Sequence, residues 1–274
     1  MEASLPGGRG AVSGMALQAV LLVLVLVPGP VVAAEEGRPV RIAIGEWPPY
    51  LGSGEPDYGP VSRILSAALA RASVPVEYEF HSWQRGLNLA RYGKREGTAV
   101  WFHSKRRAQD FHISEPVIRS EYVFFHHRDL DFDWDDPEDL RGYRIGITRE
   151  YDYGEVIEQL LGMEGVHVEQ ASSDEHNLRK LLAGRIDLFP VDLVVGREMI
   201  RREFAGEHRD QLVWHSHPVR SGGPSLLLSR RVPENEDRIR RFDRELRRMH
   251  ENGETEEIFR EALGEDVPVE RILP

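Results

Sequence analysis

Two rhythms of apolar residues alternate along this chain. Short β-rich runs fall at residues 40–44, 76–80, 98–102 and 122–126, and again at 143–147, 166–169, 186–189, 212–214 and 225–228. Between them apolar residues recur every three or four positions, the period of an amphipathic helix. Residues 60–72 place Val61, Ile64, Leu65, Ala68 and Leu69 on one face and open with Pro60, which suits a first helical turn. Residues 83–92 put Trp83, Leu87 and Ala90 on one face. Helices are also predicted over 154–162 and 193–203. Another, carrying Leu178, Leu181 and Leu182, opens with the capping box Ser172-x-x-Glu175. From Pro233 onward, Ile239, Phe242, Leu246 and Met249 form a stripe, with Asp237/Arg241 and Asp243/Arg247 at i,i+4 on the solvated face. A short helix over 255–263 ends the pattern.

Strand–helix–strand repetition predicts mostly parallel sheets covered by helices. The units form two sets of comparable size, separated by the acidic, Pro-containing stretch 131–139, which reads as a loop or linker. No internal sequence repeat relates them. Two α/β lobes with a cleft between them is the natural architecture. Ligands in such sheets sit beyond the carboxyl ends of the strands, so the residues following Ile44, Phe102, Ile147 and Phe189 are the places to look.

The N-terminus changes the picture of destination. An apolar run over 16–29, broken by Pro28 and Pro30, follows Arg9 and precedes Val32-Ala33-Ala34. This is the pattern of a secretory signal peptide over residues 1–34, cleaved after Ala34, with Met1 or Met15 as its start; an uncleaved anchor is the alternative. No later stretch is long and apolar enough to span a membrane, so the expected product is exported, soluble and not membrane-inserted. The chain has no cysteine, which excludes disulfides, thiolate metal sites, a Cys nucleophile and a lipoprotein anchor. A net charge of −11 argues against nucleic acid as a partner, because an acidic surface repels phosphates.

The candidate chemistry lies at the strand ends. Trp47 and Tyr50 follow the first strand on a loop stiffened by Pro48 and Pro49, and offer an apolar wall or a cation-facing π surface. Arg107 lies between the apolar run 99–102 and Phe111, Ile113 and Pro116. There its planar fork could be aimed at a carboxylate, or it could stand on the surface of a short helical turn. Asp192 begins a helix, as its N-cap or as an acceptor for a ligand's ammonium group. Asp187 pairs more simply with the local backbone or a basic neighbour. His126, His127, His215 and His217 could seat a metal ion, but no third ligand is evident in the sequence. There is no G-x-S-x-G, H-E-x-x-H or P-loop.

The chain between residues 38 and 263 resembles the bacterial extracellular solute-binding proteins of the polar amino-acid type, family 3, which are associated with ABC transporters. The matching points are Glu46-Trp47-Pro48-Pro49-Tyr50, Ser82-Trp83-Gln84-Arg85, Ser104-x-x-Arg107 with Ile113-Ser114-x-Pro116, the run from Asp139 to Ile147, and Gly184-Arg185-Ile186-Asp187 with Asp192. The resemblance implies a two-lobed periplasmic-binding-protein type II fold, each lobe a mostly parallel sheet flanked by helices. Lobe 1 would take residues 38–127 and 218–274 and lobe 2 residues 128–217, with a two-crossing hinge near 127–130 and 215–220. It further implies that Arg107 grips a ligand carboxylate, Asp192 takes an ammonium, and Trp47 or Tyr50 covers the side chain.

The chain departs from the family pattern where Trp101, Phe102 and His103 precede Ser104, and where Thr148-Arg149-Glu150-Tyr151 replaces a Gly-Thr. The expected ligand-binding set is therefore Trp47, Tyr50, Trp101, Phe102, Ser104, Arg107, Thr148, Arg149, Tyr151 and Asp192. The expected protein is a periplasmic monomer that captures a small amino-acid-like or carboxylate-bearing solute and delivers it to an ABC permease or a membrane sensor, with no metal or other cofactor and no catalysis. An enzyme on the same scaffold, a cyclohexadienyl dehydratase-like lyase using Glu46, His103 or Glu150, is the alternative, alongside a metal-binding protein.

Overall fold

The computed structural model describes residues 38–203, 210–264 and 268–274, together with Met1, Glu2, Ser4 and Gly7. The expected signal segment lies outside the described residues apart from those four. Residues 37–274 form one compact unit.

The strand-period runs form two five-stranded sheets. The first contains β1 (Val40–Ile44), β2 (Val76–Phe80), β3 (Gly97–Trp101), β4 (Phe111–Pro116) and β10 (Ser225–Ser229), in the order β2-β1-β3-β10-β4. β1 runs parallel to β2 and β3, while β10 is antiparallel to β3 and β4. The second contains β5 (Ser120–His127), β6 (Arg144–Thr148), β7 (His167–Ala171), β8 (Leu188–Asp192) and β9 (Leu212–Gly222), in the order β7-β6-β8-β5-β9. Again the first three are parallel and the last joins are antiparallel. This is the two-lobed type II arrangement. Each sheet has a parallel half, built by helical crossovers, and an antiparallel pair supplied by chain that crosses between lobes.

The helices are α1 (Pro60–Arg71), α2 (Trp83–Arg91), α3 (Lys105–Asp110), α4 (Glu155–Leu160), α5 (Asp174–Leu182), α6 (Leu193–Glu203), α7 (Asn235–Glu251) and α8 (Glu254–Leu263). In the first lobe α1 packs on α7 and α8. The predicted stripes are the buried ones: Val61, Ile64, Leu65, Ala68 and Leu69 meet Ile239, Phe242, Leu246 and Met249 in one core. Each large side chain buried there contributes roughly 1.5–3 kcal/mol. The second lobe has its own aromatic core around Tyr122, Phe124, Phe132, Trp134 and Tyr153. Phe132 and Trp134 come from the acidic stretch expected to be a loop, so that stretch is pinned by its two aromatics.

Strand pairing moves the hinge. Residues 120–127 were expected in the first lobe, but β5 pairs with β8 and β9 of the second sheet. The chain therefore crosses at residues 117–119 and returns at 223–224, not near 127–130 and 215–220. The two crossings are tied directly, since the Val117 N–H donates to the Pro224 carbonyl at 3.0 Å. Gly223 is required there: a Cβ would lie 2.3 Å from Pro116 Cβ.

Other expectations shift by small amounts. Ser173, not Ser172, caps α5 by accepting from His176 N–H; Ser172 Oγ meets the His176 ring instead. β8 runs through Pro190, which the β6–β8 register of Ile145 with Leu188 does not reach. α3 and β4 form where the apolar pattern predicts no strand or helix. Asp237 pairs with Arg241 as expected, whereas Arg247 reaches Glu115 rather than Asp243. Asp187 pairs with Arg144 through two guanidinium nitrogens.

Candidate functional site

The cleft between the lobes opens at the strand ends named above. Its inner end is lined by Trp47, Trp83 and Trp101 of the first lobe and by Tyr122 and Tyr151 of the second, with Phe102, Arg107, Glu150 and Asp152 among them. The free volume there is about 50 Å³, room for a few water molecules. Outward it widens into a groove lined by Glu46, His81, Thr148, Arg149, Ser173 and Asp174 among others.

Local sequence explains how Arg107 is presented. Ser104 Oγ accepts from the Arg107 N–H at 3.1 Å and caps α3. The helix is short and held at both sides, by Arg91 on Asp110 and by Arg230 on the carbonyls of Ala108 and Phe111. The Arg107 side chain is only 13% exposed. Its guanidinium lies 4.9 Å over the Trp101 ring and donates to the Phe102 carbonyl at 2.8 Å. Trp101 is itself fixed by Thr98 Oγ1, which accepts from its indole at 2.9 Å, and by an edge contact with Trp83. A guanidinium stacked on an aromatic and aimed into a cleft can recognise a planar anion.

Across the cleft Arg107 Nη1 donates to Asp152 Oδ2 at 3.1 Å. Asp152 sits in the turn between β6 and α4, and its Oδ1 accepts from Arg220 Nη1 of β9 at 2.6 Å. Arg220 in turn lies 3.7 Å over the Phe102 ring. Burial works against the Asp152 charge, but the charge and hydrogen bonds of Arg220 and Arg107 outweigh it and hold the carboxyl below its usual range.

Thr148, at the end of β6, is buried. Its Oγ1 donates to Asp174 Oδ1 and accepts from Asn177 at 3.0 Å, while its N–H donates to the Tyr153 hydroxyl at 2.8 Å. Burial pushes Asp174 up to about 6, against the hydrogen bonds from Thr148 and Tyr151. Burial, then the nearby Asp174 charge, pushes the Tyr151 phenol well above its ordinary value. Arg149 and Glu150 are exposed.

Two expected site residues lie beneath the cleft rather than in it. Tyr50 is 1% exposed, stacked edge-on to Phe259 and tilted against Trp47. Its hydroxyl donates to Asp192 Oδ1 at 3.2 Å. Asp192, also 1% exposed, accepts from Ser120 Oγ at 2.7 Å and from the N–H groups of Val194 and Val195 at 3.0 and 3.1 Å. It is thus the N-cap of α6 and an interlobe tie to Tyr50. Burial pushes its carboxyl up to about 6, against these four donors. Ser104 likewise spends its hydroxyl on a cap. Trp47, Trp101, Phe102, Arg107 and Tyr151 converge at the inner end, and Thr148 and Arg149 line the outer groove.

Asp152, Tyr122 and Asp174 also line the cleft and Arg220 bonds Asp152; no motif or spacing in the sequence marks these four residues. The histidines lie on β5 and β9. His126 Nδ1 is 3.0 Å from the His127 carbonyl and His215 Nε2 is 2.9 Å from Asp133. Among the described residues no group of three or more His, Cys, Asp or Glu is arranged to hold a metal ion.

No protein-family model matches the sequence, and comparison with curated proteins gives no match. Solved structures do resemble the fold. An ancestral arginine-binding protein bound to arginine aligns over 84% of this chain and 100% of its own, at 16% identity and a TM-score of 0.69. A histidine kinase sensor domain with similarity to periplasmic binding proteins aligns over 87% and 98%, at 20% identity and 0.69. The arginine-, lysine-, histidine-binding protein ArtJ from Geobacillus stearothermophilus aligns over 85% and 99%, at 17% identity and 0.67. The chain therefore has the two-lobed fold of the periplasmic binding proteins.

Proposed function

We propose that this protein is an exported solute-binding protein that closes its two lobes on a small carboxylate-bearing molecule. The observation that carries the reading is Arg107: mostly buried, stacked on Trp101 and directed across the cleft, where it already engages a carboxylate. The aromatic lining supports a ligand with an apolar body. The paired crossings at residues 117–119 and 223–224 supply a hinge for closure. The fold's likeness to binding proteins is consistent with capture rather than catalysis. Of the acid–base candidates, Glu46 accepts from the Ser53 backbone, while His103 and Glu150 are exposed. Delivery to an ABC permease or to a membrane sensor, a cleaved signal peptide and a monomeric periplasmic protein complete the proposal.

The test is a thermal-shift screen of the purified protein against amino acids, organic acids, amines and divalent metals. A ligand at about a hundred times its dissociation constant adds roughly 2.7 kcal/mol of stability. The reading expects a shift with a carboxylate, lost in Arg107→Ala. Shifts with metals alone, or a carboxylate shift that survives Arg107→Ala, would overturn it.

A further inference from the structure

Asp152 is the feature that simple capture leaves unexplained. A carboxylate belonging to the chain stands where two guanidiniums converge. Oδ2 accepts from Arg107 of the first lobe at 3.1 Å and Oδ1 from Arg220 of the second at 2.6 Å. Neither arginine is a casual surface cation: their side chains are 13% and 15% exposed, and each is stacked on an aromatic, Trp101 for one and Phe102 for the other. Asp152 is the least enclosed of the three, at 35%. It keeps a local partner of its own, since Oδ1 also accepts from the Gly154 N–H at 3.2 Å. The other acids nearby are committed elsewhere or solvated. Asp174 is bonded to Thr148, Asp192 is capped by four donors, and Glu150, although it lines the same end of the cleft, is exposed to water that screens its charge. Two largely buried guanidiniums therefore face one tethered carboxylate beside an aromatic wall.

We propose that Arg107 and Arg220 together form a two-guanidinium anion subsite, that Asp152 occupies it as a tethered competitor, and that the ligand is a carboxylate on a flat, apolar body that displaces Asp152. This rests on the solute-binding reading of the same cleft. The displaced side chain swings outward into water, while the incoming carboxylate takes both guanidiniums in the bidentate manner such groups favour. The flat body then stacks among Trp47, Trp83, Trp101 and Tyr151. Arg220 thereby becomes a specificity-determining residue, and Asp152 sets the affinity threshold: the apparent dissociation constant is the intrinsic one divided by the fraction of molecules whose subsite is free. The depressed pKa of Asp152 keeps the competitor charged at neutral pH.

The experiment is isothermal titration with benzoate, phenylacetate, acetate and benzylamine of the wild type, Asp152→Ala, Asp152→Asn and Asp152→Ala/Arg220→Ala, with circular dichroism to confirm folding. Asp152→Ala is expected to bind benzoate or phenylacetate at least tenfold tighter than the wild type. Acetate should gain less, benzylamine nothing, and the double variant should lose the gain. If Asp152→Ala does not fold, Asp152→Asn is read the same way. No gain for either aromatic acid overturns the tethered competitor, and acetate gaining as much as benzoate overturns the flat-bodied ligand. A wild type that binds a carboxylate through Arg107, with no gain in the Asp152 variants, sinks this inference alone. No binding of these probes by any variant overturns this inference alone; the solute-binding reading falls with it only if the thermal-shift screen is also blank.

Discussion

Tyr50→Phe removes one hydroxyl and nothing else, and the structure sets what that costs. The phenol donates to Asp192 Oδ1 at 3.2 Å, joining the loop after β1 to the start of α6 across the lobe boundary. Both residues are 1% exposed, so water does not replace the bond. Asp192 retains Ser120, Val194 and Val195 as donors, so no carboxylate is orphaned and the loss is that of one hydrogen bond to a charged group. Such bonds contribute about 1.5–3 kcal/mol. The length of this one and its sharing of Oδ1 with two backbone donors put it at the low end, about 1.5 kcal/mol. For a unit of this size that lowers Tm by roughly 3–6 °C.

The charge gives the prediction a signature. Asp192 is pushed up to about 6 by burial, so it is ionised at pH 7.5 and largely protonated at pH 5. The Tyr50 bond favours the ionised form, so the cost of losing it shrinks to about 1 kcal/mol at pH 5, the central value for neutral partners. Urea unfolding followed by circular dichroism at both pH values measures this. An equal cost at the two pH values, or none at either, would refute the interlobe bond to an ionised Asp192.

Other outcomes follow from the same geometry. Burial pushes Asp174 up to about 6 from an ordinary value of 3.8. The folded state therefore holds a proton between about pH 4 and 6 that the unfolded chain has lost, and this group's contribution to stability falls as pH rises through that window. Asp174→Asn removes that dependence, so urea unfolding should show the variant gaining about 2–3 kcal/mol on the wild type between pH 4 and 7; a constant difference would count against it. Leu246→Ala, in the fully buried stripe of α7, should cost about 2–5 kcal/mol in the same assay. Gly223→Ala should stiffen or distort the hinge, because its Cβ would press on Pro116; small-angle scattering should show a ligand-induced compaction smaller than that of the wild type.

Where local pattern carries the information, the fold was legible. β1, α1, β2 and α2 follow their periods to within a residue, because each turns one apolar face to the first-lobe core, whatever partner covers it. The hinge was misplaced because the acidic stretch 131–139 looks like a boundary. Only strand pairing reveals that β5 already belongs to the second sheet. β9 looked like a three-residue strand because His215 to Pro218 interrupts its apolar run, yet it continues to Gly222 along β5. At the site, Arg107 was visible from its apolar flanks. Asp192 had two readings, and the backbone donors of Val194 and Val195 show it acting as the cap. Arg220 and Asp152 meet from 68 positions apart, through a late strand and an irregular turn, and no spacing in the sequence announces that encounter.

The central claim is that Arg107 recognises a carboxylate in the interlobe cleft. Isothermal titration of benzoate, glycine, L-phenylalanine and L-arginine into the wild type and Arg107→Ala tests it most directly. The account predicts binding of at least one of these carboxylates by the wild type, and a loss of about a hundredfold or more in the variant, as expected when one partner of a desolvated charged pair is removed. Wild-type binding that persists at unchanged affinity in Arg107→Ala would contradict it.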